Sequence, residues 1–83
     1  MNIVSEEQVM ANRAALGEVD ELFFDAMKVV AVAGRASVSQ IQRKLRIGYP
    51  RAASLNDQLE EKGIISFTKV NFTFAELMEK YGI

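Results

Sequence analysis

Two helix-like segments meet at Arg46-Ile47-Gly48-Tyr49-Pro50, and this junction restricts the fold more than any other stretch of the chain. Glycine accepts backbone angles that other residues resist and is expected to supply the reversal. Proline cannot continue a helix, but it suits the first helical position, where its missing N–H has no intrahelical partner anyway. Ile47 can plug the gap between the two helices. A helix, a tight turn and a second helix in this order form a helix-turn-helix.

The segments around the junction follow from spacing and end signals. Residues 3–16 are expected to form a helix closed by Gly17, as an arm or added helix that needs a partner surface. A second helix is expected from Asp20, a good N-cap, to about Ala33 before Gly34. At helical spacing, Leu22, Phe23, Ala26, Val29, Val30 and Ala33 share one face, and Phe24, Met27 and Ala31 form a second apolar strip. A helix apolar on two sides is covered on both, here by the N-terminal segment or by a second copy of the chain.

Ser37-Val38-Ser39-Gln40 has the form of a capping box and opens a third helix, running to about Arg46. Its inner residues are Val38, Ile41 and Leu45, with Gln40, Arg43 and Lys44 outside. The fourth helix begins at Pro50 and ends near Lys62-Gly63. Ala52, Leu55 and Leu59 lie on its inner face, Ser54, Asp57, Gln58 and Glu61 point outward, and Arg51 sits at the edge near the amino end. Residues 64–72 are rich in β-branched and aromatic side chains and read as strand. A capping box at Thr73-Phe74-Ala75-Glu76 starts a short last helix that ends near Tyr81-Gly82. The expected fold is mainly α: a winged helix-turn-helix with a reduced wing, an N-terminal segment and a short C-terminal helix. Residues 1–18 read as the extension and 19–83 as the winged-helix domain.

Charge is unevenly placed along a chain whose net charge is only −1. Residues 35–56 hold Arg35, Arg43, Lys44, Arg46 and Arg51 and no acid, while both flanks are acidic. A local basic block attracts a polyanion whatever the whole-chain average; the plainer reading is a solvated basic face.

Enzyme chemistry finds little to work with. The chain contains no cysteine and no histidine, which removes thiolate ligands, disulfides, the commonest metal ligand and the commonest general base. Gly34 and Gly48 stand alone, so no phosphate-cradling loop is expected. We expect no catalytic residues, no metal and no cofactor. No apolar run reaches the roughly 20 residues needed to cross a bilayer, and the N-terminus lacks the pattern of a secretory signal. A cytoplasmic, nucleoid-associated protein is expected. The chain opens with methionine and carries no motor segment, which suggests a free-standing small protein.

Nucleic acid fits the basic block better. In a helix-turn-helix the second helix enters the major groove with its first residues nearest the base edges. Arg51 would sit there, able to bond guanine O6 and N7. Ser54 and Gln58 follow one and two turns later. Arg43, Lys44 and Arg46 would neutralise phosphates, and Gln40 lies on the same outer face. Tyr49 is open to two roles, packing on sugar or donating to phosphate, and bracing the turn.

The run Gln42-Arg43-Lys44-Leu45-Arg46-Ile47-Gly48-Tyr49-Pro50-Arg51-Ala52-Ala53, followed by Asp57-Gln58-Leu59-Glu60, closely resembles the gamma domain of FtsK/SpoIIIE-type DNA translocases. With Asp20-Glu21-Leu22-Phe23 and Arg35-Ala36-Ser37-Val38-Ser39, the likeness covers roughly residues 20–65. It implies a winged helix that binds short, G-rich, polar sites in double-stranded DNA, orients a translocase motor in chromosome segregation and, in some members, contacts a tyrosine recombinase. It also implies that Arg46, Tyr49 and Arg51 face DNA.

Three positions depart from the family pattern: Pro50 stands where asparagine is usual, Ser54 where arginine is usual, and residues 66–72 replace a glycine-containing basic wing. The alternative is a non-catalytic interaction module on the same scaffold, partnering a recombinase or translocase, or dimerising through the N-terminal segment, Phe24 and the last helix.

Overall fold

The computed structural model describes residues 5–83. Five helices and one hairpin follow in the order α1 (Glu6–Ala14), α2 (Phe23–Ala33), α3 (Val38–Leu45), α4 (Tyr49–Glu61), β1 (Ile65–Ser66), β2 (Lys69–Val70) and α5 (Phe74–Tyr81). This is the mainly helical winged arrangement expected. The part of the N-terminal helix expected at residues 3 and 4 lies outside the described residues.

Local chemistry sets most ends. Ser5 Oγ accepts the Gln8 N–H at 3.1 Å, and Glu6 and Glu7 occupy the first turn of α1, where the helix dipole favours negative charge. At α5 the capping box is complete, with Thr73 and Glu76 each accepting the other's backbone N–H. At α3 only half of the expected box forms. Ser37 Oγ accepts the Gln40 N–H at 3.4 Å, without a return bond from the Gln40 side chain among the described residues.

Three expectations need correction. Asp20 does not cap α2 directly: its carboxylate accepts the Leu22 N–H and shapes a preceding turn, so the helix proper starts at Phe23. Gly48 does not make the reversal. Its backbone is extended, at φ −69 and ψ 158, and it serves as the N-cap of α4. Arg46 supplies the left-handed step instead, at φ 54, ending α3 with its N–H on the Gln42 carbonyl. Finally, α4 begins one residue early, at Tyr49, which puts Pro50 second in the helix. Its missing N–H still falls among the first four, which no helical carbonyl serves.

The core joins all three central helices to the wing and α5. Phe23, Met27 and Val30 of α2, Ile41 of α3, Leu55 and Leu59 of α4, Ile64, Ile65 and Leu77 are fully enclosed. The two strips foreseen on α2 merge here, because Met27 and Ala31 are buried while Ala33, at the helix end, is exposed.

Residues 64–72 form a minimal hairpin and not one continuous strand. Ile65 pairs with Val70 and Ser66 with Lys69, and the chain turns at Phe67-Thr68. The hairpin gains a third strand-like neighbour in the α2–α3 connection: Arg35 bridges Lys69, and the Ala36 N–H donates to the Thr68 carbonyl at 2.9 Å.

Helix α1 lies on α5. Asn12 Nδ2 donates to the Lys80 carbonyl at 2.8 Å, Arg13 Nε donates to the Tyr81 carbonyl at 2.7 Å, and the Arg13 guanidinium lies 4.2 Å from the centre of the Phe24 ring. The N-terminal segment is thus a cover for Phe24. The three surfaces expected to build a dimer touch one another within one chain.

Candidate nucleic-acid interface

The site is the corner where α3 meets α4. Two core residues of α4, Leu55 and Leu59, hold its inner face, and small Ala52, fully buried, lets the helix sit close to α3. The opposite face therefore points outward with Pro50, Ser54, Asp57 and Glu61 exposed. Its acids lie toward the far end, and its first turn joins the basic junction.

The expected site residues separate into three groups and one residue apart. Arg43, Arg46 and Tyr49 are exposed around the corner, Tyr49 to 58%. Gln40 and Lys44 line a groove against α2, formed with Asp25, Lys28, Val29, Val32 and Leu45. Arg51 and Gln58 turn toward the segment before α2. There Arg51 donates two hydrogen bonds to Asp20, from Nη2 to Oδ1 at 2.8 Å and from Nε to Oδ2 at 3.1 Å. Gln58 Oε1 accepts the Asp20 N–H at 3.0 Å. Ser54 is the one expected site residue on the outer face, between Pro50 and Asp57.

The Arg51–Asp20 pair is the one ion pair among the described residues. Arg43, Lys44 and Arg46 therefore face solvent without a carboxylate partner there. The first turn of α4 has no side-chain cap, so its backbone N–H dipoles add positive potential at the same corner.

Hydrogen bonds from Arg51, then from the Leu22 N–H, hold the Asp20 carboxyl below the usual carboxylate range, and Arg51 is raised in turn. The Thr73 N–H and hydroxyl lower Glu76 in the same sense. A carboxyl whose pKa is lower in the folded state adds stability that is fully present above its unfolded value, near pH 4, and is lost as pH falls through the folded value. The melting temperature should therefore fall on acidification below about pH 4. Asp20→Asn combined with Glu76→Gln should flatten that fall, as followed by circular dichroism. An unchanged acid slope would show that neither group contributes.

Three arrangements in this region carried no readable signal. Arg35 and Lys69 are 34 residues apart and meet only through the bridge between the connection and the wing. Phe67 is exposed at the hairpin turn, and the side-chain oxygen of Asn56 is buried without a hydrogen-bond partner.

A helix-turn-helix packed against a short hairpin, with unpaired cations at its corner, defines a winged-helix domain. The chain belongs to the FtsK gamma domain family, whose model, described as "Ftsk gamma domain", matches residues 17–71. It is 63% identical over 49 residues to the DNA translocase FtsK of Caldanaerobacter subterraneus subsp. tengcongensis, a match covering 59% of this chain and 7% of that protein. It is 43% identical over 67 residues to the DNA translocase SftA of Bacillus subtilis, covering 81% of this chain and 7% of that protein. Against the DNA translocase FtsK 2 of Neisseria meningitidis serogroup A the figures are 43% over 68 residues, 82% and 7%. The chain thus spans about 7% of the length of these translocases. No solved structure matches it. No helix among the described residues is long and apolar enough to cross a membrane.

Proposed function

We propose that this chain is a non-catalytic, double-stranded DNA-binding module that acts with chromosomal DNA in the cytoplasm. Residues 1–18 are an extension, carrying α1 at Glu6–Ala14, added to the winged-helix domain 19–83. Helix α4 enters the major groove by its amino end, with Arg43, Lys44 and Arg46 on phosphates and Tyr49 beside them. The observation that carries this reading is the exposure of Arg43, Lys44 and Arg46 about the α3–α4 corner, none of them in an ion pair among the described residues. Paired cations would be spent within the fold, whereas unpaired ones gain from displacing counterions on DNA.

Arg51 remains with Asp20 and braces α4 against the turn before α2. Base reading by this helix then rests on Ser54, with Pro50 and Ala53 offering only apolar contact. One hydroxyl discriminates weakly compared with a bidentate pair, worth about 1–3 kcal/mol. Affinity is therefore expected to come mainly from phosphate contacts and DNA shape.

Fluorescence anisotropy with mixed-sequence duplexes and with G-rich duplexes tests this at two salt concentrations. Binding should weaken steeply with salt and differ little between sequences. Failure to bind either duplex at low salt would sink the reading.

A further inference from the structure

Phe67 is 84% exposed, more than any other large apolar side chain among the described residues. Its backbone is also left-handed, at φ 61, which an aromatic residue adopts only under constraint. The constraint is visible. Its N–H donates to Glu60 Oε2 of α4 at 3.1 Å, and the next carbonyl, of Thr68, accepts from Ala36 at 2.9 Å. Asn71 ties the hairpin base through bonds to the Gly63 carbonyl and Ser66 Oγ, both at 3.0 Å. The fold therefore fixes the backbone that presents a bare phenyl ring at the tip of the wing, next to the backbone bridge between Arg35 and Lys69. An open crevice of about 340 Å³ lies between this tip and α4, lined by Arg35, Ser37, Asn56, Glu60 and Thr68 and edged by Phe67 itself.

We propose that Phe67 is a wedge that enters the DNA minor groove and unstacks one base step. This rests on the DNA-binding reading above. With α4 in the major groove, the strand of phosphates beside it runs along the crevice. It meets Arg35, Ser37 and Thr68 there, and a Glu60 carboxylate already engaged by the Phe67 N–H. The ring then lies over the neighbouring minor groove with Arg35 and Lys69 behind it. Apolar side chains inserted at that place kink the duplex toward the major groove, at least cost where a pyrimidine precedes a purine. Sequence preference would thus come from deformability, in a chain whose α4 offers Ser54 alone for base reading.

The test uses the full chain and short duplexes with 2-aminopurine at a central TpA step, dye-labelled at both ends to report bending. Wild type should raise the 2-aminopurine fluorescence and bring the ends closer on binding. Phe67→Gly should lose both signals and roughly tenfold in affinity, the scale of one lost base–aromatic contact. Its melting temperature should be equal or higher, since glycine accepts the left-handed angle. Phe67→Leu should retain part of the unstacking. Duplex binding by wild type without either signal, or a Phe67→Gly variant that keeps both, overturns the wedge and leaves DNA binding standing. A wild type that binds no duplex removes both proposals.

Discussion

Replacing Arg43, Lys44 and Arg46 together by alanine should remove duplex binding at about 0.15 M salt while leaving the fold intact. At low salt, where residual binding can be measured, the slope of log K against log salt should become shallower by about 2.7. Each lost phosphate contact accounts for about 0.9 of that. All three side chains are exposed, and none pairs with a carboxylate among the described residues, so their removal leaves no stranded partner. Arg46→Gly is the informative single change. It deletes one cation at a left-handed position that glycine occupies freely, so the melting temperature should hold or rise as affinity falls. A triple variant with an unaltered salt slope would show that DNA, if bound, lies elsewhere.

Phe23→Ala should produce the largest loss of stability. The ring is fully buried, meets Phe24 edge-on at 5.2 Å, and sits where α2 joins the rest of the core. Emptying such a site costs about 3–5 kcal/mol. A domain of this length has about 4–12 kcal/mol in total. The urea midpoint should therefore fall by a quarter or more, and at the low end of that range the variant would be largely unfolded at room temperature. Phe24→Ala should cost clearly less, because Phe24 is only half-buried under Arg13. Equal losses at the two positions would show that Phe23 is not the pivot of the core.

The helices were legible in the sequence wherever an end signal and an apolar period agreed. Thr73 with Glu76, Ser37, and the glycines at 34, 63 and 82 mark ends that the fold respects. The turn was legible in position but not in mechanism. Gly48 drew attention as the permissive residue, yet Arg46 takes the left-handed angle, because packing at the corner outweighs the local preference. The turn of the hairpin was illegible for a related reason: Phe67-Thr68 contains no residue that favours a turn, and it is held by Glu60 on α4 and by Ala36, far back in the chain.

The candidate site was half legible. The motif located the basic corner, but Arg51 read as a free cation at the helix tip. Its partner Asp20 lies 31 residues earlier, and nothing in a one-dimensional pattern joins them. The helical period alone turns Gln58 outward, for the same reason: its bond to the Asp20 N–H depends on where the chain enters α2.

The bond from the Phe67 N–H to Glu60 has a thermodynamic consequence for the proposed complex. A two-stranded hairpin this short has no independent stability, and here α4 and the α2–α3 connection hold it in place before any ligand arrives. Its ordering entropy is thus spent during folding and not at association. Calorimetry of duplex binding should accordingly give a heat-capacity change set by the contact area alone, without the extra heat-capacity loss of segments that fold as they bind.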